Sequence, residues 1–300
     1  MLRDAALTAL FDLRESLLSK RALALLIVYL GGSIATAALF VEVLQEMERA
    51  VAEGLAVSMT GKPGTMAGEL MHSEEFVTLL TWLLGNDKEL AEELASMPPM
   101  ALFYGWASLS MVPALAVFTS SESISRELHS GSCRFAFFRI PRASWALGKF
   151  AGQAVLLALG VAVGAAGTWA VGWYGLANFD GPGTAMWLVR SSFQAWVYGF
   201  AFLGFAMGVS QLTRSVALAR ALGLIGLAGL VFLGSLTTHE PVVEYAPLLF
   251  ESLHLLFPKA YKLELWRPEL LDRLPAIVML LGLGGLYFSL GHIKLARGDA

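Results

Sequence analysis

The sequence has little charge and only one cysteine. Of its 300 residues, 15% are charged and 56% are hydrophobic, a balance that excludes an ordinary soluble domain. The single cysteine, Cys133, excludes an intrachain disulfide and any metal site built from cysteines alone. The net charge of -3 provides no concentrated basic face for a phosphate backbone. We therefore expect an integral membrane protein that does not bind nucleic acid.

Catalytic and cofactor motifs are also missing from the chain. Neither HExxH nor GxSxG occurs, and the GKPGT stretch at 61–65 lacks the spacing of a phosphate-binding loop. Glu89, Glu92 and Glu93 cluster without a histidine at helical spacing, so we expect no metal site there. The apolar segments contain almost no ionisable residues, which disfavours a membrane enzyme or an ion-driven carrier. The sequence predicts no catalytic residues and no cofactor bound by this chain.

Six apolar runs are long enough to cross a bilayer, which needs about 20 residues per helix. They predict an all-α polytopic membrane protein that forms a single domain over 1–300, with Arg220 reaching toward the headgroups from the start of the fifth span. Loops would lie outside at 42–98 and 240–273, and in the cytoplasm at 120–149. The predicted spans are 22–41, 99–119, 150–175, 190–212, 217–237 and 274–294.

The N-terminal segment 1–20 has the pattern of an amphipathic helix. Apolar residues such as Leu10 and Leu13 fall on one side, while Asp12 and Glu15 fall on another. Such a helix would lie in the membrane interface ahead of the first span. A cleaved signal peptide is the alternative, because Ala-Thr-Ala at 35–37 resembles a cleavage site, but the acidic residues before the apolar run argue against it.

The distribution of basic residues predicts the orientation of the chain. With the N-terminus in the cytoplasm, 13 lysines and arginines lie inside and 8 lie outside. The sequence therefore predicts that both termini are cytoplasmic. Glycines recur within the spans, among them Gly204, Gly208, Gly282 and Gly285. They allow close helix packing, either within one copy of the chain or between two copies.

One cytoplasmic segment, 121–150, is charged and patterned, and it reads SESISRELHSGSCRFAFFRIPRASWALGKF. It can form a short helix with Ile124 and Leu128 on one side, ending near Gly131. Three phenylalanines at 135, 137 and 138 then lie beside several arginines. A helix of this kind offers a partner protein both charge and an aromatic anchor.

This segment resembles the loop between the second and third spans of type-2 permeases of ATP-binding-cassette (ABC) exporters. The residues that carry the resemblance are Glu122, Ile124-Ser125-x-Glu127, Gly131-Ser132, Phe137-Phe138, Arg142 and Gly148-Lys149. Three features depart from the family pattern: a serine replaces a threonine at 132, the usual leucine pair is aromatic, and Pro141 stands later than the family proline.

The resemblance implies a permease subunit in a plasma (inner) membrane of bacterial type. Segment 1–20 would be the elbow helix, and Glu122 to Gly131 would be the coupling helix that contacts a separate cytosolic ATPase. That partner would bind ATP and Mg²⁺, and two permease copies would form a homodimer. The coupling residues would be Glu122, Ile124, Ser125, Arg126, Glu127, Leu128 and Gly131, with Arg142, Gly148 and Lys149 at the end of the loop.

Polar groups within the spans are few, and Gln153, Thr168 and Gln194 are the candidates for a substrate pathway. Their scarcity favours a lipophilic or amphipathic cargo. A second hypothesis is a non-transporting membrane assembly or sensor subunit that holds an outside partner through the 42–98 loop. Dependence on an ATPase would distinguish the two hypotheses.

Overall fold

The computed structural model describes residues 1–54, 63–64, 71–84, 86–237, 253–267 and 269–297. Over these residues the chain is helical, with no strand. Two short 3₁₀ turns, Pro258–Tyr261 and Glu264–Trp266, precede the last helix. The helices are α1 (Leu2–Leu18), α2 (Lys20–Gly54), α3 (Glu74–Leu83), α4 (Lys88–Ala95), α5 (Pro99–Ser120), α6 (Ser123–Ser130), α7 (Cys133–Phe137), α8 (Arg142–Gly175), α9 (Gly181–Ser210), α10 (Val216–Leu236) and α11 (Leu270–Arg297).

Six of these helices are long and apolar enough to cross a membrane, namely α2, α5, α8, α9, α10 and α11. The prediction of an all-α protein with six candidate spans is confirmed. Several helices extend beyond the predicted spans. α2 continues to Gly54, and α8 begins at Arg142, so the end of the 120–149 segment is already helical. The single-domain organisation stays a prediction.

The helix boundaries follow local sequence signals. Pro99 occupies the first turn of α5, where a missing N–H has no consequence. The side chain of Asp180 accepts a hydrogen bond from the N–H of Gly183 at 3.1 Å, and Ser215 caps α10 in the same way. Gly131 ends α6 with φ of 74°, a left-handed conformation that favours glycine. Pro113 lies inside α5 without ending it.

α9 is the centre of the bundle and packs against α5, α8 and α11. Glycines make the approach to α11 possible, since a Cβ on Gly204 would collide with the backbone of Gly284, and one on Gly291 with the backbone of Gly208. The sequence therefore identified Gly204 and Gly208 as packing positions. Gly282 and Gly285 of α11 face open space within one copy of the chain, so their use in packing between two copies stays a prediction.

The candidate spans differ greatly in burial. In the most apolar window of α9, 67% of residues are buried within the chain, against 6% in α2 and 11% in α10. α2 and α10 therefore present most of their apolar surface outward. Such surface is stable against lipid or against another apolar helix.

The part of the GKPGT stretch that the structure describes, residues 63–64, is attached to the far end of α2. The N–H of Gly64 donates to both carboxylate oxygens of Glu48, at 3.0 and 2.9 Å. The carbonyl of Pro63 accepts from the N–H of Ala177, just after α8. Glu48 is buried, and these bonds help to satisfy its charge.

Candidate functional site

The first turn of α6 is anchored by the last residue of α9. The hydroxyl of Ser210 accepts hydrogen bonds from the backbone N–H groups of Ile124 (3.1 Å) and Ser125 (3.0 Å). The first N–H groups of a helix have no partner within it, and leaving a buried one unpaired costs about 1–3 kcal/mol. Ile124 and Ser125 are both fully buried. α6 is therefore fixed to the bundle at its N-terminus.

Glu122, immediately before α6, connects this helix to α10. Its side chain is buried and forms ion pairs with Arg126, one turn later, and with Arg220 of α10. Two guanidinium partners offset the cost of removing the carboxylate from water. Arg220, which we expected to reach toward lipid headgroups, instead holds Glu122.

Lys149 of α8 joins two further helices. Its Nζ lies 2.6 Å from Oδ1 of Asp12 in α1, and it also pairs with Glu127 of α6. Gln153, one turn along α8, donates from Nε2 to the other Asp12 oxygen at 2.9 Å. The indole of Trp145 lies 5.6 Å from Nζ. Asp12 and Lys149 are both buried, so this network holds α1, α6 and α8 together away from water.

Two glycines of α8 let α1 approach closely enough for this network. A Cβ on Gly148 would collide with the side chain of Thr8 and the carbonyl of Ala5, and one on Gly152 would press on Asp12. The polar stripe of α1 therefore faces the protein. Its apolar residues Leu2, Leu7, Leu10, Phe11 and Leu18 are exposed, which suits a helix lying along a membrane surface.

Beyond the buried turn, the segment presents an exposed tip. Phe135 is 78% exposed and Phe138 is 88% exposed, although both are large apolar side chains. Arg126, His129, Arg134 and Arg139 of the same segment are also exposed. We call these six residues the exposed tip. Exposed aromatic rings in a segment rich in arginine are unusual on a free surface and typical of a binding surface.

The base of the tip is tied to α8 and α11. Phe137 packs edge-on against Trp145, with 5.2 Å between ring centroids. The guanidinium of Arg142 lies 5.3 Å from the Phe137 centroid and donates to the carbonyl of Leu295 in α11 at 3.1 Å. The tip is thus connected to the last span as well as to the third.

The structure separates the predicted coupling residues into three groups. Glu122, Ile124 and Ser125 are buried, only Arg126 is exposed, and the half-buried ones are Glu127, Leu128 and Gly131. Glu122 and Ile124 are therefore covered within this chain, and the contact of these residues with an ATPase stays a prediction. Sequence reasoning missed Ser210 and the pairing of Asp12, because both contacts join positions far apart in the chain. The one local signal was the charge of Asp12 within a helix otherwise rich in leucine.

The three candidate pathway residues do not contact one another. Gln153 is bonded to Asp12, Thr168 donates to the carbonyl of Gly164 in its own helix at 3.1 Å, and Gln194 donates to the carbonyl of Leu265. All three are buried. Their place in a substrate pathway stays a prediction.

The opposite end of the bundle is closed mainly by aromatic packing. Trp266 is buried, and its ring fills the space left by Gly105 of α5. Arg190 of α9 donates to the carbonyl of Arg267 at 3.0 Å and lies 4.0 Å from the carboxylate of Glu93. We call this the tryptophan end, and the end that contains α1, α6 and the start of α8 the charged end.

Glu93 is the one member of the predicted acidic cluster that turns inward. Burial raises its pKa, although nearby Arg190 and Arg273 act in the opposite direction. Its Oε2 atom is buried without a hydrogen bond in the part of the chain that the structure describes. Within that same part, no three His, Cys, Asp or Glu side chains are grouped as a metal site.

Comparison with known families identifies the chain. The model of the family described as ABC-2 family transporter protein matches residues 8–248, which cover the later part of α1 and all of α2 through α10. The chain belongs to the ABC-2 transporter family. No curated protein matches it. Membership agrees with the resemblance carried by the 121–150 segment, and in this family it implies association with an ATPase and with the membrane.

Proposed function

We propose that this ABC-2 family member is the permease subunit of an ABC exporter, driven by ATP hydrolysis on a separate cytosolic ATPase. The observation that carries the proposal is the construction of the 121–150 segment. Its first turn is buried against α9 through Ser210, while its far side presents the exposed tip. A segment that is anchored to the spans on one side and exposed on the other can bind a partner protein. It can then transmit the movement of that partner to the spans.

The exposed tip is the surface that we assign to the ATPase. Phe135 and Phe138 would insert into an apolar groove, with the surrounding arginines pairing with acidic groups of the partner. Glu122, Ile124 and Ser125 then act behind this surface by holding α6 to the spans. ATP and Mg²⁺ would be bound by the partner chain.

Movement of α6 would be transmitted through its buried contacts. Because Glu122 is paired with α10, and Lys149 pairs with both Glu127 and α1, a displaced α6 has to move these helices or break buried ion pairs. Breaking such pairs is costly, so the helices would shift as rigid bodies. This supports alternating access driven by ATP-dependent closure of the ATPase.

The placement of basic residues supports an orientation with the charged end and both termini in the cytoplasm. The outward-facing apolar surfaces of α2 and α10 leave room for a second copy of the chain, in agreement with a homodimer. The membrane would be a bacterial-type plasma membrane. The low polarity of the spans favours a lipophilic or amphipathic cargo.

The first experiment is an affinity purification of the tagged full chain from its native host in mild detergent. We expect a P-loop ATPase to co-purify. Replacement of Phe135 and Phe138 by alanine should remove the ATPase without changing the yield or thermal stability of the permease, since both rings are exposed.

The matched control replaces Leu10 and Phe11 of α1 by alanine. These side chains are also apolar, exposed and at the charged end, but they lie outside the tip. ATPase binding should survive in this variant. Retention of the ATPase by the Phe135/Phe138 variant would contradict the assigned surface. Absence of any ATPase would favour instead the non-transporting subunit that acts through the 42–98 segment.

A further inference from the structure

The segment between α10 and α11 reaches into the bundle. Its described part, 253–267, contacts the interior of two candidate spans. The Nζ atom of Lys262 lies 3.5 Å from the hydroxyl of Ser110, which is 11 residues after the first residue of α5 and 10 before its last. The hydroxyl of Tyr287, well inside α11, donates to the carbonyl of Leu256. At 1.5 Å per residue, Ser110 is about 15 Å from either end of α5, near the middle of a bilayer that α5 crosses.

A second lysine of this segment lies close to the first. Lys259 belongs to the first 3₁₀ turn and Lys262 directly follows that turn, so their side chains leave the backbone on the same side. The Nζ atom of Lys259 donates to the hydroxyl of Ser235, near the end of α10, at 2.7 Å. Both lysines are half-buried. Two positive charges are therefore held beside α5 and α10.

These two charges are not neutralised by the residues that the structure describes. Lys259 is the charged group that acts on Lys262, and it repels it. Glu264, the one carboxylate within 253–267, forms no ion pair with either lysine in the described part of the chain. A cation within a membrane is costly without a partner, and an ionisable group at that depth points to binding or transport. The missing partner is an anion.

The serines that hold the lysines cannot take the place of that anion. The hydroxyl of Ser110 donates to the carbonyl of Trp106 at 2.9 Å, and that of Ser235 donates to the carbonyl of Val231 at 2.8 Å. Each hydroxyl therefore meets its lysine as a neutral acceptor. An ammonium group has three N–H donors, and each lysine uses one of them on a serine. The other donors are directed by the same two side chains toward a ligand.

Apolar surface on both helices borders the lysines. Trp106 and Met111 of α5 lie within about one turn of Ser110 and are 62% and 60% exposed. Val231 and Phe232 of α10 lie within about one turn of Ser235 and are also exposed. A ligand at this place therefore meets positive charge at one point and hydrocarbon next to it, which fits an anion attached to an apolar chain.

We propose that Lys259 and Lys262 bind the acidic group of an amphipathic cargo, a carboxylate or phosphate that carries a hydrocarbon chain. A resident membrane lipid keeps its headgroup at the bilayer surface, about 15 Å from the level of Ser110. An acidic group at this depth therefore belongs to a molecule that is crossing the membrane. The assignment to cargo rests on the proposed permease function, whereas binding itself does not require the ATPase.

The first test measures the thermal stability of the purified full chain in phosphatidylcholine nanodiscs, at a pH at which a fatty acid is ionised. The probe is dodecanoate, and binding to the folded state raises the midpoint of unfolding. Dodecanol is the matched ligand without charge, and acetate is the matched ligand without a chain. We expect a saturable increase with dodecanoate alone. An equal increase with dodecanol or with acetate, or no increase with dodecanoate, would overturn the proposal.

The matched variants are Lys262→Met and Arg267→Met. Each removes one positive charge from the same segment, but the side chain of Arg267 is exposed. Without ligand, Lys262→Met should unfold at a higher temperature than the unmodified chain, because it removes an unneutralised charge from an apolar site. It should weaken dodecanoate binding about tenfold or more, the loss of one charged partner, while Arg267→Met retains it. A Lys262→Met chain that is less stable without ligand, or that binds dodecanoate like the unmodified chain, contradicts the site.

The second test separates a cargo from a static ligand. In the complex purified with its ATPase, dodecanoate should increase the rate of ATP hydrolysis, and Lys262→Met should need about tenfold more of it for the same increase. Binding without any effect on hydrolysis would overturn the assignment to cargo. Loss of binding while the ATPase still co-purifies would overturn this inference and leave the proposed function intact. Binding without a co-purifying ATPase would instead overturn the proposed function and support the site.

Discussion

The two ends of the bundle are held together by different chemistry. At the charged end, buried ion pairs join α1, α6, α8 and α10, and glycines allow the close approach of α1 and α8. At the tryptophan end, an indole ring, a few hydrogen bonds to carbonyls and one partly exposed ion pair at 4.0 Å close the bundle. A buried ion pair is lost when either partner is removed, whereas apolar packing tolerates substitutions that conserve volume. The charged end is therefore suited to transmit a discrete movement.

The largest expected effect comes from removing the central cation of the charged end. Lys149→Met leaves Asp12 and Glu127 without their shared partner, and breaking a buried pair in this way costs about 3–5 kcal/mol. We expect a large decrease in the free energy of unfolding, measured by denaturant titration of the purified protein. Lys88→Met is the control, because Lys88 forms an exposed pair with Glu92. A change of more than about 1 kcal/mol in the control would contradict this contrast.

A smaller effect is expected from filling the α1–α8 contact. The Cβ of Gly148→Ala would meet the backbone of α1, which cannot rotate away as a flexible side chain can. Overpacking of this kind costs about 1–3 kcal/mol. The control Gly285→Ala places its methyl group in open space within α11, where alanine is the better helix former. Equal thermal stability of the two variants would show that α1 does not need this close approach.

The hydroxyl that anchors α6 is expected to contribute less. Ser210→Ala removes the acceptor for the N–H groups of Ile124 and Ser125, a capping loss of about 1–2 kcal/mol. Hydrogen exchange of the α6 amides should accelerate. Ser289→Ala is the control, because its hydroxyl only donates to a carbonyl of its own helix. If the exchange rates of α6 are unchanged in Ser210→Ala, the anchor is dispensable.

The smallest effect concerns the tryptophan end and depends on pH. The pKa of Glu93 is raised in the folded state, so the folded chain binds more protons than the unfolded chain between the two pKa values. The contribution of Glu93 to stability therefore decreases as pH rises through this window. Glu93→Gln should flatten that dependence, measured as the unfolding midpoint from acidic to neutral pH. An unchanged pH profile would contradict the burial of this carboxylate.

The sequence was sufficient for features that depend on local pattern. Six apolar runs predicted the six candidate spans, and the spacing from Glu122 to Gly148-Lys149 indicated the family before any contact was known. Gly131 was predicted to end α6, and its positive φ explains why a glycine stands there. Each of these features is set by residues within one or two helical turns or by composition.

Features that depend on distant contacts could not be predicted. Asp12 and Lys149 are 137 positions apart, and Ile124 and Ser210 are 86 apart. The pattern of α1 indicated an amphipathic helix, but it could not indicate that the polar stripe faces α8. For the same reason, the sequence could not indicate that Glu122 is buried and paired with Arg220. Charged residues close to apolar runs are interpreted correctly only when their partners are known.

The length of α8 has a mechanical consequence. At 34 residues, this helix is about 51 Å long, whereas the hydrocarbon core of a bilayer is about 30 Å thick. It thus extends as a continuous rod from the base of the exposed tip, through the bilayer, to the opposite surface. A tilt of only about 10° about its first turn would carry its last turn sideways by about 9 Å. If the proposed coupling rotates α8 about its first turn, a small rotation at Arg142 becomes a large displacement at Gly175.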